Sequence, residues 1–108
     1  MNKLILRNVD LTDDQGIKIL KNIDRQLISH IDISYNPRLT DTFYKVLNTV
    51  LEDPGYLLER IELEGNNIGD ARLGALVDAI LVNKNITYLN VSRCDITNKG
   101  ARDLARAV

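Results

Sequence analysis

One spaced pattern of apolar residues occurs four times along the 108-residue chain, and it constrains the fold more than any other feature of the sequence. In its clearest copy, Ile61 and Leu63 alternate with charged residues before the chain reaches Asn66 and Ile68. This alternation predicts a short strand with one buried face and one solvated face. Further along, apolar residues recur at the spacing of a buried helical face, at Leu73, Leu76, Val77 and Ile80. Each copy therefore encodes a strand followed by a helix.

The other three copies keep both halves of this unit. The strand anchors Leu4, Ile31, Ile61 and Leu89 are 27, 30 and 28 residues apart. The helical faces of the other copies are Gly16, Ile19, Leu20 and Ile23; Tyr44, Leu47, Asn48 and Leu51; and Ala101, Leu104, Ala105 and Val108. The pattern predicts strands at about residues 3–7, 30–34, 60–64 and 88–92, and helices at about 13–24, 41–52, 70–82 and 98 to the end. Strands joined through helices within one sheet are expected to be parallel.

Written with dots for the free positions, the clearest copy reads L..I.L..N.I, and in this form it resembles a leucine-rich repeat of the ribonuclease-inhibitor type. The resemblance implies an α/β fold, a short solenoid of about four strand–helix repeats with a parallel sheet on its concave side and helices on its convex side. It also implies a single domain, 1-108, whose repeats span approximately residues 1–27, 28–57, 58–85 and 86–108.

Three departures from the family pattern concern the corner that follows each strand. Val9 and Cys94 stand where the repeat normally has an Asn that hydrogen-bonds the turn backbone. The resemblance implies that the first corner is loose or closed by backbone groups alone, and that Cys94 is a small buried hydrophobe rather than a redox group. The insertion Pro37-Arg38 is expected to bulge the second corner, because Pro37 fixes its own backbone angle.

Composition narrows the classes of function. A net charge of −1 gives no sign of a nucleic-acid or anionic-membrane binder. No apolar run approaches the roughly 18 residues that a membrane span needs. The single Cys cannot form an internal disulfide, which favours a reducing compartment, so we expect a cytoplasmic protein.

The resemblance implies that partners, which for this family are usually proteins, bind on the concave face that the strands line. Outward strand positions fall into three rows: Lys3, His30, Arg60 and Tyr88; Ile5, Asp32, Glu62 and Asn90; and Arg7, Ser34, Glu64 and Ser92. Because Tyr and Arg are enriched at interface hot spots, the binding surface is expected to centre on Tyr35, Arg60, Glu62, Tyr88 and Arg93. His30 and Asp32 beside them complete a candidate set of seven binding residues. The alternative is a solvated sheet face whose charges pair with one another, for example Arg60 with Asp32.

His30, Asp32 and Glu62 fall on adjacent strands and require a separate interpretation. Two carboxylates beside a His can make an acid–base pair or a weak metal site. No second His or Cys ligand is near, and an arc of four strands offers no deep pocket, so we expect solvated charges partly paired with Arg60 and Lys3. The sequence therefore predicts no enzyme activity, no metal and no cofactor.

Two functions remain open. The first is a non-enzymatic module that binds a protein partner through the concave face. The second is a structural or assembly element that associates through the open ends of the solenoid, either with further repeats of a longer protein or with another copy as a homo-oligomer. Changes in the concave rows should abolish the first function, and changes at the end faces should abolish the second.

Overall fold

Strands and helices alternate along the chain in a computed structural model that describes residues 2–106. The elements in chain order are β1 (Asn2–Ile5), α1 (Asp13–Asn22), β2 (Ile28–Asp32), α2 (Asp41–Glu52), β3 (Arg60–Glu62), α3 (Gly69–Val82), β4 (Tyr88–Asn90) and α4 (Asn98–Arg106). The strands form one sheet in chain order, and each neighbouring pair is parallel. This arrangement confirms the predicted α/β solenoid of four strand–helix units. Met1 and Val108, which the sequence assigns to the first and fourth units, lie outside the described residues.

Each strand ends two residues earlier than the sequence predicts, but the backbone pairing between units continues past the strand ends. Tyr35 N donates to the carbonyl oxygen of Glu64 at 2.7 Å, and Gly65 N donates to the carbonyl oxygen of Ser92 at 3.0 Å. These bonds repeat the donor–acceptor order of the parallel ladder. The third row of outward side chains therefore stays aligned across the sheet although it follows the assigned strands.

The core lies between the sheet and the helices. Ile61 and Leu63 on the sheet side have no exposed surface. On the helix side, Leu73, Leu76 and Val77 of the predicted face of α3 are also fully buried, whereas the predicted Ile80 is only half-buried. In α2 the predicted Tyr44, Leu47 and Leu51 are buried, Asn48 is only half-buried, and the buried face widens to include Phe43 and Val50.

The predicted face of α4 is only partly correct. Ala101 and Ala105 are exposed, and Leu104 is half-buried. The fully buried position is Gly100, where an added Cβ would collide with side chains of α3 and its own unit. Among the described residues, α4 packs against one helix only, α3, so only a narrow strip of its surface is buried.

The first corner is neither loose nor closed by backbone alone, and that prediction was wrong. Asn36 Oδ1 in the second unit accepts hydrogen bonds from Leu11 N at 3.0 Å and from Val9 N at 3.3 Å. The next unit repeats the arrangement, because Asn66 Oδ1 accepts from Asn36 N at 2.6 Å. An Asn therefore completes the corner of the preceding unit as well as its own, which is why Val9 is tolerated in the first.

Cys94 and the insertion in the second corner occupy the expected places. The Cys94 side chain is buried, and its Sγ donates to the Leu63 carbonyl oxygen at 3.1 Å. Burial raises the pKa of the Cys94 thiol, which keeps it in the unreactive protonated form. Pro37 and Arg38 protrude into solvent, and Arg38 Nε pairs with Asp10 Oδ1 at 2.7 Å.

Candidate functional site

Three rows of side chains project from the sheet on the side away from the helices, and together they form what we call the open face. The strand register aligns Lys3, His30, Arg60 and Tyr88 in the first row and Ile5, Asp32, Glu62 and Asn90 in the second. Arg7, Ser34, Glu64 and Ser92 form the third. Because successive residues of a strand point to opposite faces, the intervening Ile31 and Ile61 enter the core while the three rows lie on the other face of the sheet. His30, Asp32 and Ser34 on that face are nevertheless buried by their neighbours.

His30 and Glu62 form a direct pair in the middle of the open face. His30 Nε2 lies 2.5 Å from Glu62 Oε2, and the two side chains are only 10% and 16% exposed. The expectation that these groups are solvated charges paired with Arg60 and Lys3 was therefore wrong. The two residues lie diagonally across neighbouring strands, a separation that a His and a Glu side chain can bridge.

Asp32 pairs with Arg7, not with Arg60 as suggested by the sequence. Arg7 Nη1 donates to Asp32 Oδ2 at 3.0 Å, and Ser34 N donates to Asp32 Oδ1 at the same distance. Burial by itself would raise the pKa of Asp32, but the hydrogen bonds from Ser34 and Arg7 outweigh it and hold that pKa below its ordinary value. The carboxylate is only 4% exposed, so the pair fixes Arg7 rather than presenting Asp32 to a partner.

Tyr35 joins the same cluster from the corner. Its hydroxyl donates to Glu64 Oε2 at 3.0 Å, and this hydrogen bond raises the pKa of the Tyr35 phenol. The guanidinium of Arg7 lies 5.3 Å from the centre of the Tyr35 ring and 3.6 Å from Glu64 Oε1. The ring also lies directly over Gly65, where an added Cβ would collide with it.

The backbone explains why Tyr35 and Arg93 stand at the rim. Asn8, Tyr35, Gly65 and Arg93 occupy equivalent corner positions, and all four have positive φ, from 51° at Asn8 to 73° at Gly65. The left-handed conformation turns the chain sharply after the third row. Since it recurs in every unit, it belongs to the corner and is not a strain specific to one site.

Arg60 and Tyr88 form the most exposed pair of the open face. The guanidinium carbon of Arg60 lies 4.1 Å from the centre of the Tyr88 ring, and Tyr88 is 40% exposed. They are register partners on β3 and β4. Stacking on a ring leaves the edge of a guanidinium free to donate hydrogen bonds outward.

The seven residues named from the sequence thus fall into separate groups. The structure joins His30 to Glu62 and Arg60 to Tyr88, whereas Asp32 and Tyr35 belong to a cluster built around two residues outside that set, Arg7 and Glu64. Arg93 stands apart at the rim. The row alignment already placed Arg7 in the same row as Glu64 and one row away from Asp32 on the neighbouring strand. The pairing of Arg7 with these two carboxylates could therefore have been found by also comparing diagonal neighbours.

Among residues 2–106, no three His, Cys, Asp or Glu side chains come together in a group that could bind a metal ion. In the same part of the chain, no helix is both long enough and apolar enough to cross a membrane. The geometry instead provides charged and aromatic side chains in fixed positions on a surface.

Comparison with known proteins supports the repeat assignment. A family model described as Leucine Rich repeat matches residues 82–105, which include β4 and most of α4. This segment carries a leucine-rich repeat. A human protein described as "NACHT, LRR and PYD domains-containing protein 13" is 31% identical over 83 residues, a match that covers 77% of this chain but 8% of that relative. The chain thus spans only a small part of the length of this relative.

Proposed function

We propose that these leucine-rich repeats are of the ribonuclease-inhibitor type and bind a protein partner through the open face, which corresponds to the concave face expected from the sequence. The type is supported by a full helix in every unit, from 9 residues in α4 to 14 in α3. Binding is supported by the repeat class, since leucine-rich repeats generally mediate protein–protein interaction.

The observation that carries the proposal is the exposed stack of Arg60 on Tyr88. Arg and Tyr are enriched among residues that dominate binding energy, and side chains held in place before binding lose less entropy when a partner arrives. The neighbouring cluster of Arg7, Tyr35 and Glu64 is held by its own internal bonds in the same way. The open face therefore presents ordered groups rather than freely moving ones.

The same proposal includes a non-enzymatic role in the cytoplasm. The buried, protonated Cys94 has no disulfide partner, which suits a reducing compartment. The candidate acid–base pair, His30 with Glu62, stands on an open sheet face.

Site-specific photo-crosslinking tests which face binds. A photoreactive phenylalanine analogue would replace exposed Ser92 on the open face or, in the control, exposed Thr49 on α2. Each variant would be irradiated in extract from the native source. We expect crosslinked protein from the Ser92 position and little from Thr49. Equal crosslinking from both positions, or crosslinking from Thr49 alone, would contradict the proposal.

A second candidate function, assembly through the ends of the solenoid, is favoured by a groove at each end. At one end Val9, which is 52% exposed, lies in an apolar groove with Leu11 and Ile19. At the other end Leu89 and Leu104 line a more polar groove with Asn90 and Ser92. Within the described sheet, β1 and β4 each have a neighbour on one side only, and such edges invite pairing with another chain.

Sedimentation equilibrium over a wide concentration range tests this second candidate. Self-association that is weakened by Val9→Glu, with no change for the exposed control Val82→Glu, would support assembly through the first groove. A single monomeric species at all concentrations would exclude self-association. Contact with further repeats would then be the assembly mechanism to test.

A further inference from the structure

On the open face the negatively charged side chains are less exposed than most of the positively charged ones. Its three carboxylates are recessed, with Asp32, Glu62 and Glu64 only 4%, 16% and 23% exposed as side chains. Three exposed cations stand on this face or beside it: Lys3 and Arg60 in its first row, and Arg93 in the corner that follows the third row. The carboxylates therefore lie beneath the layer that an approaching partner meets first.

The carboxylates are also already engaged within the fold. Asp32 pairs with Arg7, Glu62 with His30, and Glu64 with Arg7 and the Tyr35 hydroxyl. None of the three exposed cations forms an ion pair with any side chain that the structure describes. The three carboxylates thus already have partners inside the fold, whereas Lys3, Arg60 and Arg93 have no ion-pair partner among the described residues.

From this asymmetry we infer that the partner segment bound by the open face is acidic and presents Asp or Glu carboxylates to Lys3, Arg60 and Arg93. The inference rests on the proposed binding function and adds the chemistry of the partner. It does not follow from composition, because the chain as a whole has a net charge of −1.

Arg60 is the side chain best placed to read such a carboxylate. Its guanidinium lies over the Tyr88 ring, which leaves the edge of the guanidinium free to donate two parallel hydrogen bonds to a carboxylate. Lys3 lies in the same row two strands away, at about twice the 4.8 Å strand spacing. The two cations therefore suit two acidic side chains of one segment that crosses the strands.

The probes for the test are short fluorescein-labelled peptides measured by fluorescence anisotropy with the full chain. In the acidic peptide Glu alternates with Ser, and in matched peptides Gln or Lys replaces every Glu. We expect the acidic peptide to bind and the other two to bind at least about tenfold more weakly, with affinity falling as salt rises, since exposed ion pairs are screened.

Two triple variants with the same change of net charge test the site. Lys3→Gln, Arg60→Gln and Arg93→Gln together should weaken binding of the acidic peptide about tenfold, as expected for three exposed pairs. Lys18→Gln, Lys21→Gln and Lys45→Gln together change exposed helical lysines and should leave binding almost unchanged. Equal losses in the two variants would show general charge attraction and overturn the inference.

Charge reversal guards against a variant that merely misfolds. The double variant Lys3→Glu with Arg60→Glu should lose the acidic peptide and bind the Lys peptide instead. Failure of the acidic peptide to bind the unmodified chain, equal binding of the Gln peptide, or tighter binding of a labelled single-stranded DNA each overturns the inference.

Photo-crosslinking separates this failure from failure of the proposed function. Crosslinks from Ser92 together with a negative peptide result would leave the binding face intact and remove only its preference for acidic partners. Crosslinks confined to Thr49 would remove both proposals at once.

Discussion

Gly16 of α1 lies against the ring of Phe43 in α2, so closely that a Cβ added to Gly16 would come within 2.7 Å of two ring carbons. In an open helix, Ala in place of Gly would add about 1 kcal/mol of stability. Here we expect Gly16→Ala to lower the free energy of unfolding, because the methyl group must displace a buried ring. Urea denaturation measures the change.

A double-mutant cycle identifies the cause of that loss. Phe43→Leu removes the ring and costs stability by itself, but it opens space beside Gly16. We expect Gly16→Ala to be less harmful in the Phe43→Leu background by about 0.5–3 kcal/mol, the range for contacting residues. Additive effects of the two substitutions would show that the ring is not the obstacle.

Asn36→Ala should be severely destabilising. It removes the acceptor for Leu11 N and the donor to the carbonyl oxygens of Leu6 and Ile33. A buried polar group left without a partner costs about 1–3 kcal/mol, so we expect a loss of at least about 2 kcal/mol in urea denaturation. Asn67→Ala, at an exposed Asn in the third corner, is the matched control and should change stability by less than about 0.5 kcal/mol.

Leu63→Ala should also remove a large part of the free energy of unfolding. The side chain is completely buried between the sheet and the helices, and such truncations cost about 2–5 kcal/mol. Leu81→Ala, at a residue that is 43% exposed, serves as the control and should cost far less. Similar losses from the two substitutions would mean that the inward face of β3 has been misassigned.

Asp32 should make stability depend on acid pH. Since its pKa is lower in the folded state than the unfolded value of about 3.9, its stabilisation is present above that pH and is lost as pH falls through the folded pKa. Asp32→Asn should therefore be less stable than the unmodified chain at neutral pH, with the gap narrowing below about pH 4. A gap that stays constant in urea denaturation across that range would contradict a role for the ionised carboxylate.

The repeating pattern was enough to predict the architecture. Anchors such as Ile31 and Ile61 alternate with polar residues, and alternation directly decides which face of a strand is buried. The end of the chain was less predictable. Ala101 and Ala105 continue the helical stripe of α4, yet they are exposed, because burial depends on a neighbour that the stripe itself does not supply.

The charge pairs of the open face were harder to predict than its rows. Register fixes which backbone positions are adjacent, but Arg, Glu and His side chains reach diagonally as easily as straight across. Arg60 therefore stacks on Tyr88 while Arg7 takes Asp32. The prediction for the first corner was wrong for a related reason, because it considered only residues of the same unit. Val9 replaces the Asn of that unit, but Asn36 of the following unit supplies the acceptor.

Asn36 is synthesised after the backbone groups of the first corner that it hydrogen-bonds. Leu11 N in the first corner donates to an acceptor that lies 25 residues further along the chain. A ribosome delivers the first strand and its corner before Asn36, so the first corner lacks these hydrogen bonds until the second unit has emerged. A break in the chain between Leu11 and Asn36 would remove the covalent link between the first corner and the acceptor that closes it.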